Sequence, residues 1–158
     1  MIQECKNLRQ VFNLLFIINS LFALTSCSNH VEAFRSQCDQ DGLYKRVNFN
    51  ELLRDIDKYD GQFVEIKGKY ISGFEESALY GNNTFYKNSP QNGLWILFDS
   101  FNLKCPLRSI NNKGGKLLTD SDLQNRTILL HGRVDKRNKG HLALYKGALI
   151  DITLVEIE

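Results

Sequence analysis

The chain has 158 residues, enough for one hydrophobic core and short for two. Twenty basic residues against 18 acidic ones give a net charge of +2, which excludes a general nucleic-acid-coating protein and an acidic disordered tail. With 42% hydrophobic and 11% aromatic residues a core can be filled, whereas three histidines and four scattered cysteines leave little material for a metal or redox centre, and no cofactor is expected.

At the N-terminus, Lys6 and Arg9 precede an apolar run over residues 11–24. The run has 14 positions, of which Asn13, Asn19 and Ser20 are polar. A membrane span needs about 20 predominantly apolar residues, so this pattern is that of a secretory signal. Its last residues, Leu24-Thr25-Ser26-Cys27, resemble a bacterial lipobox: an aliphatic residue and two small ones before a cysteine. The resemblance implies cleavage before Cys27, a diacylglyceryl thioether on that residue and a further acyl chain on the new amine. Two or more chains hold a protein stably on a membrane. Ser28 after the lipid cysteine implies, within that family, the periplasmic side of an outer membrane. An ordinary cleaved signal or an uncleaved anchor are the alternatives.

Loss of residues 1–26 leaves 132 residues with a net charge of +1. Residues 28–42 are polar without a sustained period and read as a tether, so that 27–47 form a lipidated N-terminus and linker ahead of a domain at 48–158. A tether of this length would let the domain stand clear of the headgroups. Cys5 leaves with the signal and Cys27 takes the lipid. Cys38 and Cys105 then remain in an oxidising compartment, where a disulfide is the economical reading and two unpaired thiols the alternative.

Asn48 is placed to cap a helix in which Phe49, Leu52, Leu53 and Ile56 share one face, with Glu51 three residues on and Val47 as a hydrophobic staple to Leu52. Tyr59-Asp60-Gly61 ends it. Residues 63–70 then alternate, Val64, Ile66 and Tyr70 on one face against Glu65, Lys67 and Lys69 on the other, as in a half-buried antiparallel strand. Further strands are expected at 77–80, 94–98, 127–134 and 142–156, the last bent or broken around Gly147, with a short helix at 119–124 capped by Thr119.

Val64-x-Ile66-x-Gly68-x-Tyr70 with Ala78-Leu79-Tyr80 echoes Ile128-x-Leu130-x-Gly132-x-Val134 with Ala143-Leu144-Tyr145. Two such hairpins with a mid-strand glycine suit a small barrel whose strands bend where side chains are missing. The chain here resembles the OB-fold, a mainly β, five-stranded Greek-key barrel with a short helix between strands three and four, preceded in this case by an N-terminal helix. More narrowly, Tyr59-Asp-Gly61, Val64-Glu-Ile-Lys-Gly68, Gly73-Phe-Glu-Glu76, Trp95 and Gly140-His141 resemble a group of small exported bacterial proteins related to tRNA-anticodon-type OB domains. That resemblance covers residues 48–158 and implies a fold while naming no activity.

Adjacent Glu75 and Glu76 point to opposite sides of an extended segment and cannot act jointly as an acid and a base. Glu75 remains a candidate single ligand-facing carboxylate. His131 alternates away from Ile128 and Leu130, towards an outward or barrel-end position, and His141 follows Gly140 with no metal-ligand spacing around either. No nucleophile elbow or phosphate-binding loop occurs. The strongest charge asymmetry is at residues 126–146, where Arg126, Arg133, Lys136, Arg137, Lys139 and Lys146 face the single acid Asp135. Such a hairpin suits an anionic partner; a soluble hairpin tip whose lysines block edge pairing is the plain alternative. Only Tyr145 on it could stack a base, so sequence-specific nucleic acid is not expected.

The sequence thus points to a non-catalytic, lipid-anchored envelope binding module. An anionic protein or glycolipid would meet Arg133, Lys136, Arg137 and Lys139, with Tyr80, Tyr145 and His141 nearby. The alternatives are an oligosaccharide or small-ligand binder at a barrel mouth around Trp95 and Glu75, and an unrecognised hydrolase.

Overall fold

A computed structural model describes residues 31–39, 42–81, 89–98, 105–111 and 115–158. Val31–Glu158 forms one compact unit. In chain order it contains β1 (Glu32–Arg35), β2 (Lys45–Arg46), α1 (Phe49–Arg54), α2 (Ile56–Tyr59), β3 (Phe63–Gly73) and β4 (Glu76–Tyr80). After these come β5 (Gly93–Ile96), β6 (Arg108–Ser109), α3 (Asp120–Leu123), β7 (Thr127–Asp135) and β8 (Ala148–Ile157), with single 3-10 turns at Pro90–Asn92 and His141–Ala143.

Local chemistry sets the helix ends where the sequence signals them. The Asn48 side chain accepts from the Asn50 and Glu51 amides at 3.0 and 3.3 Å, capping α1. Glu51 does not close a reciprocal box; its carboxylate accepts instead from the Tyr59 hydroxyl at 2.5 Å. Thr119 and Asp122 do form a capping box on α3.

The protein is mainly β, and the pairings among five strands return on themselves. β3 pairs with β4, β4 with β5, β5 with β8, β8 with β7, and β7 with β3. All of these are antiparallel except β5 with β8. The interior of the circuit is filled by alternate residues: Val64, Ile66 and Tyr70 of β3, Leu79, Leu94, Ile96, Ile128, Leu130, Val134, Leu149 and Val155 are all buried in one cluster. Phe49 and Leu52 of α1 and Leu123 of α3 join that cluster.

The two halves of the sequence echo meet as neighbours. Val64 lies opposite Gly132, Ile66 opposite Leu130 and Gly68 opposite Ile128, so each glycine faces the other strand's leading apolar residue. The echo ends there, because Ala78-Leu79-Tyr80 is in β4 whereas Ala143-Leu144-Tyr145 lies before β8 begins.

Two expectations change. Residues 142–156 are broken at Gly147, not bent there, and the part before the break is no strand: the chain makes a 3-10 turn at His141–Ala143, with Leu142 and Ala143 at φ of 53° and 56°, and β8 starts only at Ala148. A side chain at Gly147 would come within 2.6 Å of Ile56 Cδ1 and 3.1 Å of the Asp135 carbonyl, so the strand starts beyond this tight passage. The expected tether is also largely part of the fold. β1 pairs with the C-terminal half of β8 and with β6, and β2 pairs parallel with β3. Polar composition misled because β1 buries only two side chains, Ala33 and Phe34, one on each face, at 4% and 0% exposure.

Gly132 marks a register break between β7 and β8: His131 faces Leu154, but Arg133 faces Ile150. The surplus residues of β8 bulge there, Asp151 taking a φ of 52°. A Cβ on Gly132 would sit 2.8 Å from Leu149 Cγ and Ile152 Cδ1 and 3.0 Å from the Ile150 carbonyl. Gly132→Ala is therefore expected to lower stability by about 1–3 kcal/mol, read as a lower urea midpoint with an unchanged slope.

Candidate functional site

The segment that follows β1 builds a polar cluster against the outer side of the β7–β8 pair. The Ser36 amide donates to the Thr153 carbonyl at 2.8 Å, which carries the chain on to Cys38 and Asp39. The Asp39 side chain is wholly buried. It accepts from Thr153 Oγ1 at 2.7 Å, meets His131 Nδ1 at 3.1 Å and pairs with Arg35 Nε at 3.4 Å. His131 Nε2 faces Glu65 at 3.2 Å, and Glu65 is paired in turn with Arg46. Tyr44 stacks on the His131 ring, centroids 4.1 Å apart. Since the single Thr153 proton goes to Asp39, the Tyr44 hydroxyl is the donor in its 2.6 Å bond to Thr153 Oγ1.

His131 thus faces the outer side of the sheet, as its alternation implies, but Tyr44 covers it there and leaves it 9% exposed. Both ring nitrogens are engaged by carboxylates, so neither is aimed at a substrate. Burial raises the Asp39 carboxyl, but the bonds from Thr153 and His131 and the charges of His131 and Arg35 outweigh it and hold it below the ordinary value. Glu65 is likewise raised by burial and lowered further by Arg46 and His131, with the same net direction. Burial pushes the Tyr44 phenol up.

Beside this cluster lies a cleft of roughly 520 Å³. Its walls include Leu43, Tyr44, Phe63, Phe98, Leu107, Leu118, Leu123 and Ile152, and its polar lining includes Arg108, Asp120, Asp151 and Thr153. Cys38 and Cys105 also line it, joined as a disulfide with Cα atoms 5.6 Å apart. That bond ties the segment after β1 to the segment before β6 across 67 residues, a closure expected to stabilise the fold by about 4 kcal/mol in the chain-entropy model. The cleft escaped the sequence reading because its walls come from six separate stretches. Asp39 and Tyr44 escaped it because they lie in residues taken for a tether; Cys38, next to Asp39, was the signal that this stretch is held.

A second cluster gathers most of the residues singled out for a barrel mouth. His141 Nε2 lies 3.1 Å from Glu75, at the β3–β4 turn, where Glu75 has a φ of 60°. The Trp95 and Tyr145 rings are 5.2 Å apart. Gly140, at a φ of 62°, lies on the Trp95 indole so closely that a Cβ would be 2.5 Å from it. Tyr80 is no contact residue: it is fully buried, and its hydroxyl donates to Glu76 at 2.9 Å. Burial and that bond push its phenol up. Tyr145, at 6% exposure, is also a wall of the fold.

The basic hairpin carries less unbalanced charge than its sequence suggests. Arg133 pairs with Asp151 at 2.8 Å and Lys136 with Asp57 at 3.0 Å, acids that lie outside residues 126–146. Arg126 donates to the Glu158 carbonyl. Arg137, Lys139 and Lys146 are exposed. Cys27 lies outside the described residues. Among the described residues no group of three or more His, Cys, Asp and Glu is arranged to hold a metal ion, and no helix is long and apolar enough to cross a membrane.

The depressed carboxyls have a pH consequence. A carboxyl whose folded value lies below its unfolded one adds stability above the unfolded value of about 4, and that contribution is lost as pH falls through the folded value. Urea midpoints are therefore expected to hold from neutral pH to about 5 and to fall below about 4. Asp39→Asn should flatten that acid limb and cost about 1–3 kcal/mol at neutral pH by leaving buried partners poorly matched. An acid limb unchanged in Asp39→Asn would remove Asp39 as its source.

No known protein family matches the chain, and neither does any curated protein or any solved structure.

Proposed function

We propose that the chain is an exported, lipid-anchored OB-type module that acts by binding, with the cleft beside the Cys38–Cys105 disulfide as its ligand site. The observation that carries the reading is the cleft itself. Its volume of roughly 520 Å³ falls within the range of about 300–1,000 Å³ typical of small-molecule sites, and its apolar walls with a few polar groups have the composition of such sites. The disulfide and the Asp39–His131–Glu65 cluster stiffen its surroundings, which lowers the ordering cost of binding. The circuit β3-β4-β5-β8-β7, with α3 between its third and fourth strands in chain order, supports an OB-type barrel. The lipobox at Leu24-Thr25-Ser26-Cys27 supports anchoring at Cys27.

A ligand here is small and largely apolar. Its affinity comes from desolvation of the leucine and phenylalanine walls, and Thr153 and Asp151 orient its polar end. Binding to 1-anilinonaphthalene-8-sulfonate should persist in moderate salt. Leu118→Trp, which fills the cleft, should weaken it by about tenfold or more, on the order of 1.4 kcal/mol. Unchanged probe binding in a folded Leu118→Trp chain would remove the cleft from consideration. Labelled palmitate should enter the wild type and not Cys27→Ala; equal labelling would refute the anchor.

The second reading places an anionic partner on the loop before β8. The observation favouring it is that Arg137, Lys139 and Lys146 are exposed, with no acidic side chain paired to them among the described residues. Changing these three to Glu should then abolish capture of anionic vesicles or polyanions at low salt. Capture that survives the triple change would exclude the loop.

A further inference from the structure

The fold begins much closer to the lipid cysteine than a free tether would allow. Val31 already accepts a hydrogen bond at its carbonyl from the Asn111 side chain, 2.8 Å away, and β1 starts at the next residue. Only Ser28, Asn29 and His30 stand between Cys27 and Val31. Four residue steps span at most about 14 Å even when fully extended. The headgroup layer on each side of a bilayer takes about 5–8 Å of that. A domain anchored at Cys27 therefore cannot stand clear of the membrane, and whatever surface adjoins Val31 rests against it.

That surface has two sides of opposite character. In the ribbon of β1, β6 and the bridge from Arg108 to Leu117, Arg35 is paired with Arg108, and the Ile110 amide donates to the Ala33 carbonyl at 2.9 Å. Alternation puts Arg108, Ile110 and Leu117 on one side of the ribbon. Ile110 and Leu117 are 58% and 51% exposed, and Val31, at the ribbon's start, is 41% exposed. Arg108 is exposed and donates only to the Gly115 carbonyl, with no acidic partner among the described residues. The other side of the ribbon carries Glu32 and Lys116, the lysine lying over Phe34 and bridging Glu32 to Asp122, so that its charge is internally cancelled.

We propose that Val31, Ile110 and Leu117, with Arg108 beside them, form the membrane-resting face of this protein, the apolar side chains entering the headgroup region and the guanidinium meeting lipid phosphate. The proposal rests on the lipid-anchor reading. Chain length fixes which end of the domain lies at the bilayer, and charge and apolarity select this side of it over the acid-bearing one. Arg108 and Leu117 also line the cleft, which places part of its lining at the bilayer surface. The loop before β8, with Arg137, then lies at the far end of that strand, since Glu32 faces Ile157 while Asp135 faces Ala148.

The test uses the full-length lipidated protein in vesicles of phosphatidylethanolamine and phosphatidylglycerol with brominated acyl chains. Trp95 is the only tryptophan, so Trp95→Phe gives a silent background for Ile110→Trp or Arg137→Trp. Quenching several-fold stronger at position 110 than at 137 is expected. Equal quenching, or stronger quenching at 137, in a protein that floats with the vesicles and carries lipid overturns this face alone. A wild-type chain that carries no lipid overturns the anchor and this face with it. Should Trp95→Phe fail to fold, both tryptophans are introduced into the wild type and the Trp95 signal is subtracted.

Discussion

One strand has two edges and must serve three neighbours, and the rest of the molecule follows from how it does so. β8 keeps β7 along one edge. On the other edge it meets β5 at Ala148 and Leu149 and β1 from Leu154 to Ile157. A straight strand would carry both neighbours into one flat sheet. The bulge at Asp151, opposite the bare backbone of Gly132, turns β8 between its two partners, so its first half closes the circuit with β5 while its second half carries β1. A side chain at position 132 would occupy the space that Leu149 and Ile152 fill.

The functional geometry grows out of that turn. Because β1 is held at the far half of β8, the chain leaving it passes Thr153 and delivers Asp39 under His131 and Cys38 to Cys105. The cleft draws its lining from the circuit, at Phe63 and Ile152, and from the ribbon, at Arg108 and Leu117. The polar cluster beside it sets one histidine between two carboxylates, each also paired with an arginine. Such a cluster gives rigidity and a single arrangement of the chain, at the cost of sensitivity to acid.

Charge is distributed by the fold more evenly than by the sequence. Asp57 comes from α2 and Asp151 from the β8 bulge to meet cations of the β7–β8 region, and Glu158 takes Lys67. Exposed pairs of this kind contribute little stability, typically about 0–1 kcal/mol, but they decide which cations are left to attract anything. Among the exposed cations of the described residues with no acidic partner are Arg108, on the ribbon of β1 and β6, and Arg137, Lys139 and Lys146, in the loop before β8.

The sequence alone determined the parts governed by neighbouring residues: the Asn48 and Thr119 caps, the alternation of β3 and β7, and the breaks at Gly61 and around Gly147; it also made Cys38 and Cys105 the economical pair, which the structure joins. Each depends on side chains within a few positions of one another, or on a count. Tertiary structure decided the rest. A polar run became β1 because β8 offered an edge, an alternating His131 was covered because Tyr44 came over it, two of the six cations of a basic hairpin were paired by acids from elsewhere, and Tyr80 was taken into the core. The physical reason is the same in each case: burial and ion pairing depend on which distant segment arrives, and local pattern holds no record of that arrival.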